Sequence, residues 1–297
     1  MANDKHYPAG TSGGKGGQFA PKGKGEGVEI ETTPSISYVP KITSKGKKRY
    51  FFKDLDEGTK ARMERDYIYK HFDILSQLDY LYDNFNTSKI NTQERQLLRS
   101  KIVNDEFEAQ LEKGPKEKGK KATLLLGLPG SGKSSIATPL SKEMGAFIVD
   151  ADNFKNRIPE FQKDHKMVSA VHHESVDLAN NFMNALSDQD YNMIIGKVGG
   201  DYESVKYILD DLHNKGYEID VILNDLPFEE AIDRTIGRYD RGETDRLIPF
   251  WTLKVADSGV FDTFDSVLKH PGVKGGKIYS NDVPKGSNPL LLKEFKK

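Results

Sequence analysis

The 297-residue sequence predicts an α/β fold with a mostly parallel sheet flanked by helices, because two observations agree. Short apolar segments alternate with longer helical segments in the second half of the chain, which is the order of parallel βαβ units. A glycine-rich turn directly follows the first of those apolar segments. Basic residues outnumber acidic ones up to residue 121, and the balance reverses after it. This asymmetry indicates two units and argues against one continuous nucleic-acid-binding surface.

Composition excludes several classes of protein. The chain contains no cysteine, so disulfides, thiolate metal sites and cysteine nucleophiles are ruled out, and a reducing compartment is expected. No apolar run approaches the roughly 20 residues that a membrane-spanning helix needs, so we expect no membrane association. The N-terminus lacks the apolar segment of a secretory signal. These features predict a cytoplasmic protein.

Residues 1–49 form the first predicted unit, a disordered tail. The stretch from Gly10 to Gly27 is too rich in glycine and lysine to bury much apolar surface. It is either a solvated linker or a docking tag whose Phe19 inserts into a partner. The string Gly16-Gly-Gln-Phe-Ala-Pro-Lys22 resembles N-terminal segments of phage-associated bacterial proteins, which suggests docking to a phage particle and a virion location as a second hypothesis.

Residues 50–115 form the second predicted unit, which is helical. Apolar residues recur every three or four positions and predict one helical face: Ile68, Phe72, Leu75, Leu78, Tyr82 and Phe85. A further helix is expected to begin at Asn91, with Glu94 completing a capping box, and to end at Gly114-Pro115. The charged residues 116–121 are interpreted as a flexible hinge.

Residues 116–297 form the third unit, in which strands and helices alternate. The predicted strands are 123–126, 146–149, 192–195, 218–223 and 277–279. The predicted helices are 133–143, 169–187, 202–215, 227–240 and 249–257.

The most specific motif is Gly127-Leu-Pro-Gly-Ser-Gly-Lys-Ser134, which matches the P-loop pattern between a strand and a helix. Glycine allows the close backbone approach by which successive amides surround phosphate groups, and the helix N-terminus adds positive charge. Lys133 is expected to reach the β- and γ-phosphates of ATP, and the Ser134 hydroxyl to bind Mg²⁺. The predicted nucleotide-binding residues are Gly127, Gly130, Ser131, Gly132, Lys133, Ser134 and Ser135.

Three features favour a kinase among P-loop proteins. Asp150 and Asp152 follow the second strand and share a face if the segment is extended, so one can hold hydrated Mg²⁺ while the other accepts a proton. Helix capping by an aspartate is the alternative. No Asn/Thr-Lys-x-Asp guanine-binding motif is present. Arginines crowd one stretch that suits a lid over the triphosphate; they are Arg234, Arg238, Arg241 and Arg246, of which Arg234 and Arg241 fit a solvated helix face.

Residues 122–285 resemble the zeta toxin family, the P-loop kinase toxins of bacterial toxin–antitoxin systems. The similar strings are Leu128-Pro-Gly-Ser-Gly-Lys-Ser134, Val149-Asp-Ala-Asp-Asn-Phe-Lys155, His173-Glu-Ser-Val-Asp-Leu-Ala179, Tyr191-Asn-Met-Ile-Ile195, Thr235-Ile-Gly-Arg-Tyr239 and Ile278-Tyr-Ser-Asn281. The resemblance implies an ATP-dependent kinase that phosphorylates a hydroxyl of UDP-N-acetylglucosamine. It further implies Asp152 as general base, Arg238 and Arg246 as the pair that stabilises the transferring phosphoryl group, and Glu174, with Asp150, on the substrate.

The sequence departs from the family pattern after the strand that ends at Ile195. The family usually carries an acidic residue and then Gly-Thr there, whereas this chain reads Gly196-Lys-Val-Gly-Gly200. A different acceptor, weak activity or loss of activity would each explain the change. The alternatives are therefore a P-loop kinase for another nucleotide, a nucleic-acid end or a small hydroxyl compound, or a phage-associated nucleotide-binding protein without catalysis.

Family members are restrained by a helical antitoxin, so the resemblance implies such a partner. It acts either in trans or, in this chain, in cis through residues 50–115. An ordinary packing extension is the competing interpretation of those helices.

Overall fold

The computed structural model describes residues 50–242, 247–284 and 286–297. The predicted disordered tail, the phage-docking hypothesis and Arg246 lie outside these residues. One six-stranded sheet organises the described chain, in the order β2-β3-β1-β4-β5-β6. Its strands are β1 (Lys121–Leu126), β2 (Phe147–Val149), β3 (Met193–Lys197), β4 (Glu218–Asp225), β5 (Val273–Ser280) and β6 (Leu290–Lys296). All neighbouring pairs are parallel except β5 with β6, which confirms the predicted mostly parallel α/β fold.

Helices cover both faces of the sheet. They are α1 (Glu57–Lys70), α2 (Phe72–Asn84), α3 (Gln93–Leu111), α4 (Ser134–Met144), α5 (Ala151–Lys155), α6 (Pro159–Lys163), α7 (His172–Ser187), α8 (Glu203–Asn214), α9 (Phe228–Asp240) and α10 (Phe250–Lys269). The helix α4 packs on one face through a small apolar cluster, and the larger core lies on the other face. Double coverage explains why β1 reads as a continuous buried run. No helix of the described residues is long and apolar enough to cross a membrane.

Two predicted boundaries in the α/β part are wrong. The last long helix, α10, continues to Lys269 instead of ending near residue 257. Gly259 lies inside α10, where a Cβ would collide with the carbonyl of Gly200, so the helix packs closely against that loop only with glycine at this position. The strand β6 was missed because its side chains are mostly exposed and three of its seven residues are charged, which is typical of a solvated terminus.

The N-terminal helices depart from the predicted single apolar face. His71 has a non-helical backbone between α1 and α2, which rotates the two halves of the pattern relative to each other. As a result Phe72 is 61% exposed, whereas Tyr67 and Leu78 are buried. The helix α3 begins after Thr92, whose side chain accepts the Arg95 amide, so the predicted cap at Asn91 is wrong by one residue.

These helices share one apolar core with the sheet. Phe52, Tyr67, Leu78 and Ile102 belong to the same cluster of buried side chains as the residues of β1, β3 and β4. Gln110 of α3 also bonds the backbone of Ile148 in both directions, at 2.7 Å each, and so occupies the free edge of β2.

The predicted hinge at 116–121 is wrong. The Glu117 amide donates to the Gly145 carbonyl at 2.8 Å, and the Glu117 carbonyl accepts the Asn192 amide at 2.9 Å. The charged side chains suggested a flexible segment, but the backbone of this segment is hydrogen-bonded to the sheet. The link between α3 and β1 is therefore part of the fold.

Candidate nucleotide-binding site

The candidate site lies where the parallel strands end. The P-loop connects β1 to α4, and β1 is a central strand with β3 on one side and β4 on the other. In an open α/β sheet the ligand crevice lies at the carboxyl ends of the strands. The motif is therefore placed as the sequence predicts.

The backbone conformation of the P-loop requires glycine at two positions. Gly130 and Gly132 have φ of 79° and 74°, in the left-handed region, and a Cβ on Gly132 would collide with the Asn281 side chain. The amides of Gly130, Gly132 and Ser134 donate to no carbonyl within the described residues. Such amides, next to the N-terminus of α4, are the donors that a phosphate cradle needs.

Lys133 lies across the loop that contains it. Its ammonium donates to the carbonyls of Gly127 at 2.8 Å and Leu128 at 3.3 Å. These contacts keep a positive charge at the first turn of the loop. The predicted role of Lys133 on the β- and γ-phosphates stays a prediction, and its position is compatible with it.

The serines at the P-loop differ in the exposure and hydrogen bonding of their hydroxyl groups. Ser134 is exposed at the start of α4, whereas the Ser135 hydroxyl donates to the Gly132 carbonyl at 2.7 Å. Ser131 is fully buried and its amide donates to the Leu128 carbonyl at 3.0 Å. Ser131 therefore exposes neither of its donors, and the structure does not support its predicted contact with the nucleotide.

The site could bind Mg²⁺ with only one or two ligands from the protein. The described residues contain no group of three or more His, Asp or Glu side chains that could hold a metal ion. Mg²⁺ usually takes one or two protein oxygens together with substrate phosphates and water. The exposed Ser134 hydroxyl meets that requirement.

An amide anchor that the sequence did not predict holds the loop from the other side. Asn224 of β4 and Asn281, directly after β5, both donate side-chain hydrogen bonds to the Ser131 carbonyl, at 2.8 and 2.5 Å. Arg234 donates to the Asn281 carbonyl at 2.7 Å. We call these three residues the loop anchor. Only the string ending at Asn281 hinted at it, and nothing in the sequence placed Asn224 near the P-loop.

The two predicted carboxylates occupy different structures. Asp150 caps α5, and its Oδ1 accepts the Asp152 amide at 2.9 Å. Asp152 lies inside α5, so the predicted extended segment with both carboxylates on one face is wrong. The alternative of a capping aspartate is confirmed for Asp150. The Asp152 carboxylate is 51% exposed and is held by the buried Lys155 ammonium at 3.0 Å.

The two described arginines of α9 that the sequence singled out for a lid or a solvated face, Arg238 and Arg234, also have different surroundings. Arg238 is exposed near the C-terminal end of α9. Arg234 belongs to the loop anchor, so the solvated face predicted for it is wrong. Its guanidinium is half-buried because it reaches back to Asn281.

Glu174 does not lie on an open helix edge. Its carboxylate is 1% exposed and is bound by Arg95 and by Arg99, the latter at 2.7 Å. Burial alone would raise the pKa of Glu174, but hydrogen bonds, among them those from Arg95 and Arg99, outweigh burial and lower it. The side chain joins α3 to α7 in this structure, so its predicted contact with substrate is not supported.

The tip of β3 lies between the P-loop and the aspartates. Asp150 Oδ2 is 3.5 Å from the position that a Cβ on Gly196 would occupy, which is an ordinary contact distance, so this carboxylate lies next to the end of β3. Lys197 follows in register with Leu126, the last residue of β1. Burial lowers the pKa of the Lys197 ammonium, and the Asp150 charge opposes that shift.

The P-loop follows a central parallel strand, with the loop anchor on one side and the two carboxylates two strands away. This arrangement is that of a P-loop protein with a kinase-like fold. The model of the zeta toxin family, described as "Zeta toxin", matches residues 104–283. The chain belongs to the zeta toxin family. The match begins inside α3, so most of the N-terminal helices precede it.

Curated relatives agree with this assignment. Toxin zeta of Streptococcus pyogenes is 28% identical over 145 residues, which is 46% of this chain and 50% of that protein. Toxin zeta of Enterococcus hirae is 30% identical over 126 residues, 40% of this chain and 44% of that protein. The chain thus spans about half the length of the curated relatives it matches.

Solved structures show the same fold. A structure of the PezAT chromosomal toxin–antitoxin system of Streptococcus pneumoniae aligns with a TM-score of 0.58 at 19% identity, over 69% of this chain and 83% of that one. The AvrRxo1-ORF1:-ORF2 structure with ATP aligns with a TM-score of 0.52 at 18% identity, over 68% of each chain.

Proposed function

We propose that the protein transfers the γ-phosphoryl group of ATP to a hydroxyl of a nucleotide sugar such as UDP-N-acetylglucosamine. Membership in the zeta toxin family supports this activity. The observation that carries the proposal is the P-loop with unengaged amides at the same sheet edge as the exposed carboxylate of Asp152.

The proposed reaction assigns roles to residues of this chain. The Asp152 carboxylate accepts the proton of the acceptor hydroxyl, and the freed oxygen attacks the γ-phosphorus as ADP leaves. Lys155 holds that carboxylate in place. Lys133 and the loop amides bind the phosphates and offset their negative charge. When bound, Mg²⁺ neutralises phosphate charge next to Ser134.

Transfer of label from γ-³²P-ATP to UDP-N-acetylglucosamine tests the proposal. We expect Lys133→Ala to lower kcat/KM by about 10²–10³-fold, because a preorganised positive charge is lost. Asp152→Asn should lower kcat by about 10²–10⁴-fold and leave ATP affinity unchanged.

Asp188→Asn is the matched control, because this exposed carboxylate pairs with Lys215 away from the P-loop. If the wild-type protein labels no acceptor, or if Lys133→Ala keeps full activity, the proposal fails. ATP binding without any transfer would support the nucleotide-binding protein without catalysis.

A second candidate function is phosphorylation of another nucleotide, a nucleic-acid end or a small hydroxyl compound. Gly196 favours it, because glycine cannot bind a sugar hydroxyl or a metal through a side chain. Including these acceptors in the labelling assay distinguishes the two candidates.

We also propose that the N-terminal helices restrain the enzyme in cis. Lys70 of α1 pairs with Asp240 at 2.6 Å, two residues after Arg238, and the Tyr67 hydroxyl donates to the Ile248 carbonyl. The Phe52 amide donates to Asp257 of α10 at 2.7 Å. These contacts tie the end of α9 and the start of α10 to residues 52–70, which would limit movement of Arg238 toward a bound nucleotide.

Point variants test this restraint better than a truncated chain. Removing residues 50–115 would leave Glu174 buried without its arginines, so a fragment would fail for structural reasons. We expect the double variant Tyr67→Phe/Lys70→Met to raise kcat several-fold in the same assay. Lys60→Met on the same helix, which pairs only locally with Glu57 among the described contacts, is the control. Unchanged or reduced kcat in the double variant would contradict the restraint.

An antitoxin acting in trans remains part of the proposal. The solved relatives include a chromosomal toxin–antitoxin system, which supports a partner of that kind for this chain. Docking to a phage particle through residues 1–49 stays a prediction.

A further inference from the structure

The Lys197 ammonium occupies an unusual position at the candidate site. The strand order β2-β3-β1 places the end of β3 between the P-loop and the segment that carries Asp150 and Asp152. Neighbouring strands lie about 4.8 Å apart, so the two ends flanking β3 are separated by about 10 Å. Lys197, the last residue of β3, therefore lies in the strand between the P-loop and the segment that carries Asp152.

Lys197 lacks the partners that a half-buried ammonium normally has. Its ammonium makes no hydrogen bond or ion pair with any residue in 50–242, 247–284 or 286–297. Asp150 is the carboxylate that acts on it electrostatically, and Asp150 Oδ1 already accepts the Asp152 amide. Removing a charge from water without a hydrogen-bonding partner is costly.

Two other lysines near this edge of the sheet, Lys155 and Lys133, differ from Lys197 because their ammonium groups have partners. The Lys155 ammonium, also buried, forms an ion pair with Asp152 at 3.0 Å. Lys133 bonds two carbonyls of its own loop. Of these three lysines at the sheet edge, Lys197 is the one whose ammonium makes no hydrogen bond or ion pair with the described residues.

We propose that Lys197 is an oxyanion-binding residue that contacts a phosphoryl or carboxylate oxygen lying between the P-loop and Asp152. Two sources can supply this oxygen: the γ-phosphate of the donor, or an acidic group on the acceptor. The inference rests on the proposed function only for the second source. It extends that function by specifying an acceptor that carries negative charge near its reacting hydroxyl.

Binding of four magnesium-containing ligand solutions to the full chain separates these sources. ADP and the non-hydrolysable analogue AMP-PNP differ by the γ-phosphate. UDP-glucose and UDP-glucuronic acid differ by one carboxylate. Calorimetric titration of the wild type and Lys197→Met should show a loss of about tenfold or more for AMP-PNP, for UDP-glucuronic acid or for both. Affinity for ADP and UDP-glucose should change less than twofold.

Two further variants control for folding and charge. Lys197→Arg keeps the charge and should retain most of the affinity that Lys197→Met loses. Lys121→Met removes an exposed lysine at the opposite end of β1 and should change no affinity. Thermal melting of Lys197→Met should match or exceed that of the wild type, since an unpaired half-buried charge has been removed.

The inference is overturned if Lys197→Met binds all four ligands as the wild type does, or if the wild type binds none of them. The same is true if Lys197→Met lowers all four affinities equally, because the residue would then only support the fold. These results are separate from the labelling assay. Discrimination by Lys197 without transfer to UDP-N-acetylglucosamine would refute the proposed acceptor alone, and transfer without discrimination would refute this inference alone.

Discussion

At the scale of single residues, the P-loop is shaped by side chains that lie far from it in the sequence. The Ser131 carbonyl accepts two amide groups, from Asn224 and Asn281. This contact fixes one wall of the loop, while Gly130 and Gly132 provide its left-handed turns. The loop anchor thus holds in place the loop whose amides we propose bind phosphate.

We predict that Asn281→Ala weakens Mg-ATP binding by about fivefold to tenfold, because one net hydrogen bond of about 1 kcal/mol to the loop is lost. Asn281→Asp should weaken it further, since a carboxylate would face the Ser131 carbonyl. Calorimetric titration with ATP measures both effects, and kcat at saturating ATP should change little.

The control for this prediction is Asn84→Ala, which removes a similar bond from an exposed asparagine to the Tyr80 carbonyl. Equal ATP affinity in Asn281→Ala and the wild type would show that the anchor does not position the loop.

The sequence correctly placed the P-loop between a strand and a helix, because the motif is local and its spacing is defined. It could not predict the loop anchor, which is formed by β4 and β5 about 100 and 150 positions downstream. The resemblance to the zeta toxin family assigned Glu174 to substrate. The arginines that bury this carboxylate come from α3, and no local pattern connects them.

At the scale of elements, α3 connects the N-terminal helices to the α/β part. Arg95 binds Glu160 of α6 at 2.7 Å and Glu174 of α7, and Arg157 binds Glu106 of α3 at 2.8 Å. Gln110 completes the edge of β2. These contacts are mostly buried, so α3 is a required part of the fold around α5 and α7.

We predict that Arg95→Met lowers the free energy of unfolding by about 3 kcal/mol, because Glu174 would lose one of two arginines while remaining buried. Urea unfolding of the full chain measures this change. Arg65→Met, which removes an exposed ion pair with Asp66, should cost less than about 0.5 kcal/mol.

Adding Glu174→Gln to Arg95→Met should recover part of the loss, since the buried negative charge is removed. A loss below about 1 kcal/mol in the single variant would mean that the pair contributes little to stability.

The sequence predicted the secondary-structure elements correctly where the pattern of apolar side chains reflects the backbone conformation. Short apolar runs predicted the five parallel strands, and all five are present. The prediction failed at His71, at Gly259 and in residues 116–121, where a backbone break, a close packing contact and a set of hydrogen bonds decide the structure. None of these three causes leaves a periodic signal in the sequence.

At the scale of the whole molecule, the N-terminal helices contact the α/β part at two separate places. The helix α3 lies against α5 and α7. The helix α1 contacts Asp240 at the end of α9 and Ile248 just before α10. The candidate site opens at the carboxyl edge of the sheet between the elements that these helices hold. Stability and the proposed restraint of Arg238 can therefore be altered separately, by variants of α3 and of α1.

Binding of Mg-ATP compared with AMP tests the central claim most directly, because the claim is that the P-loop and Lys133 bind a triphosphate. We predict that the wild type binds ATP at least about 100-fold more tightly than AMP, and that Lys133→Met loses most of that difference. Equal affinity for ATP and AMP, or a Lys133→Met variant that binds ATP as the wild type does, would contradict the account.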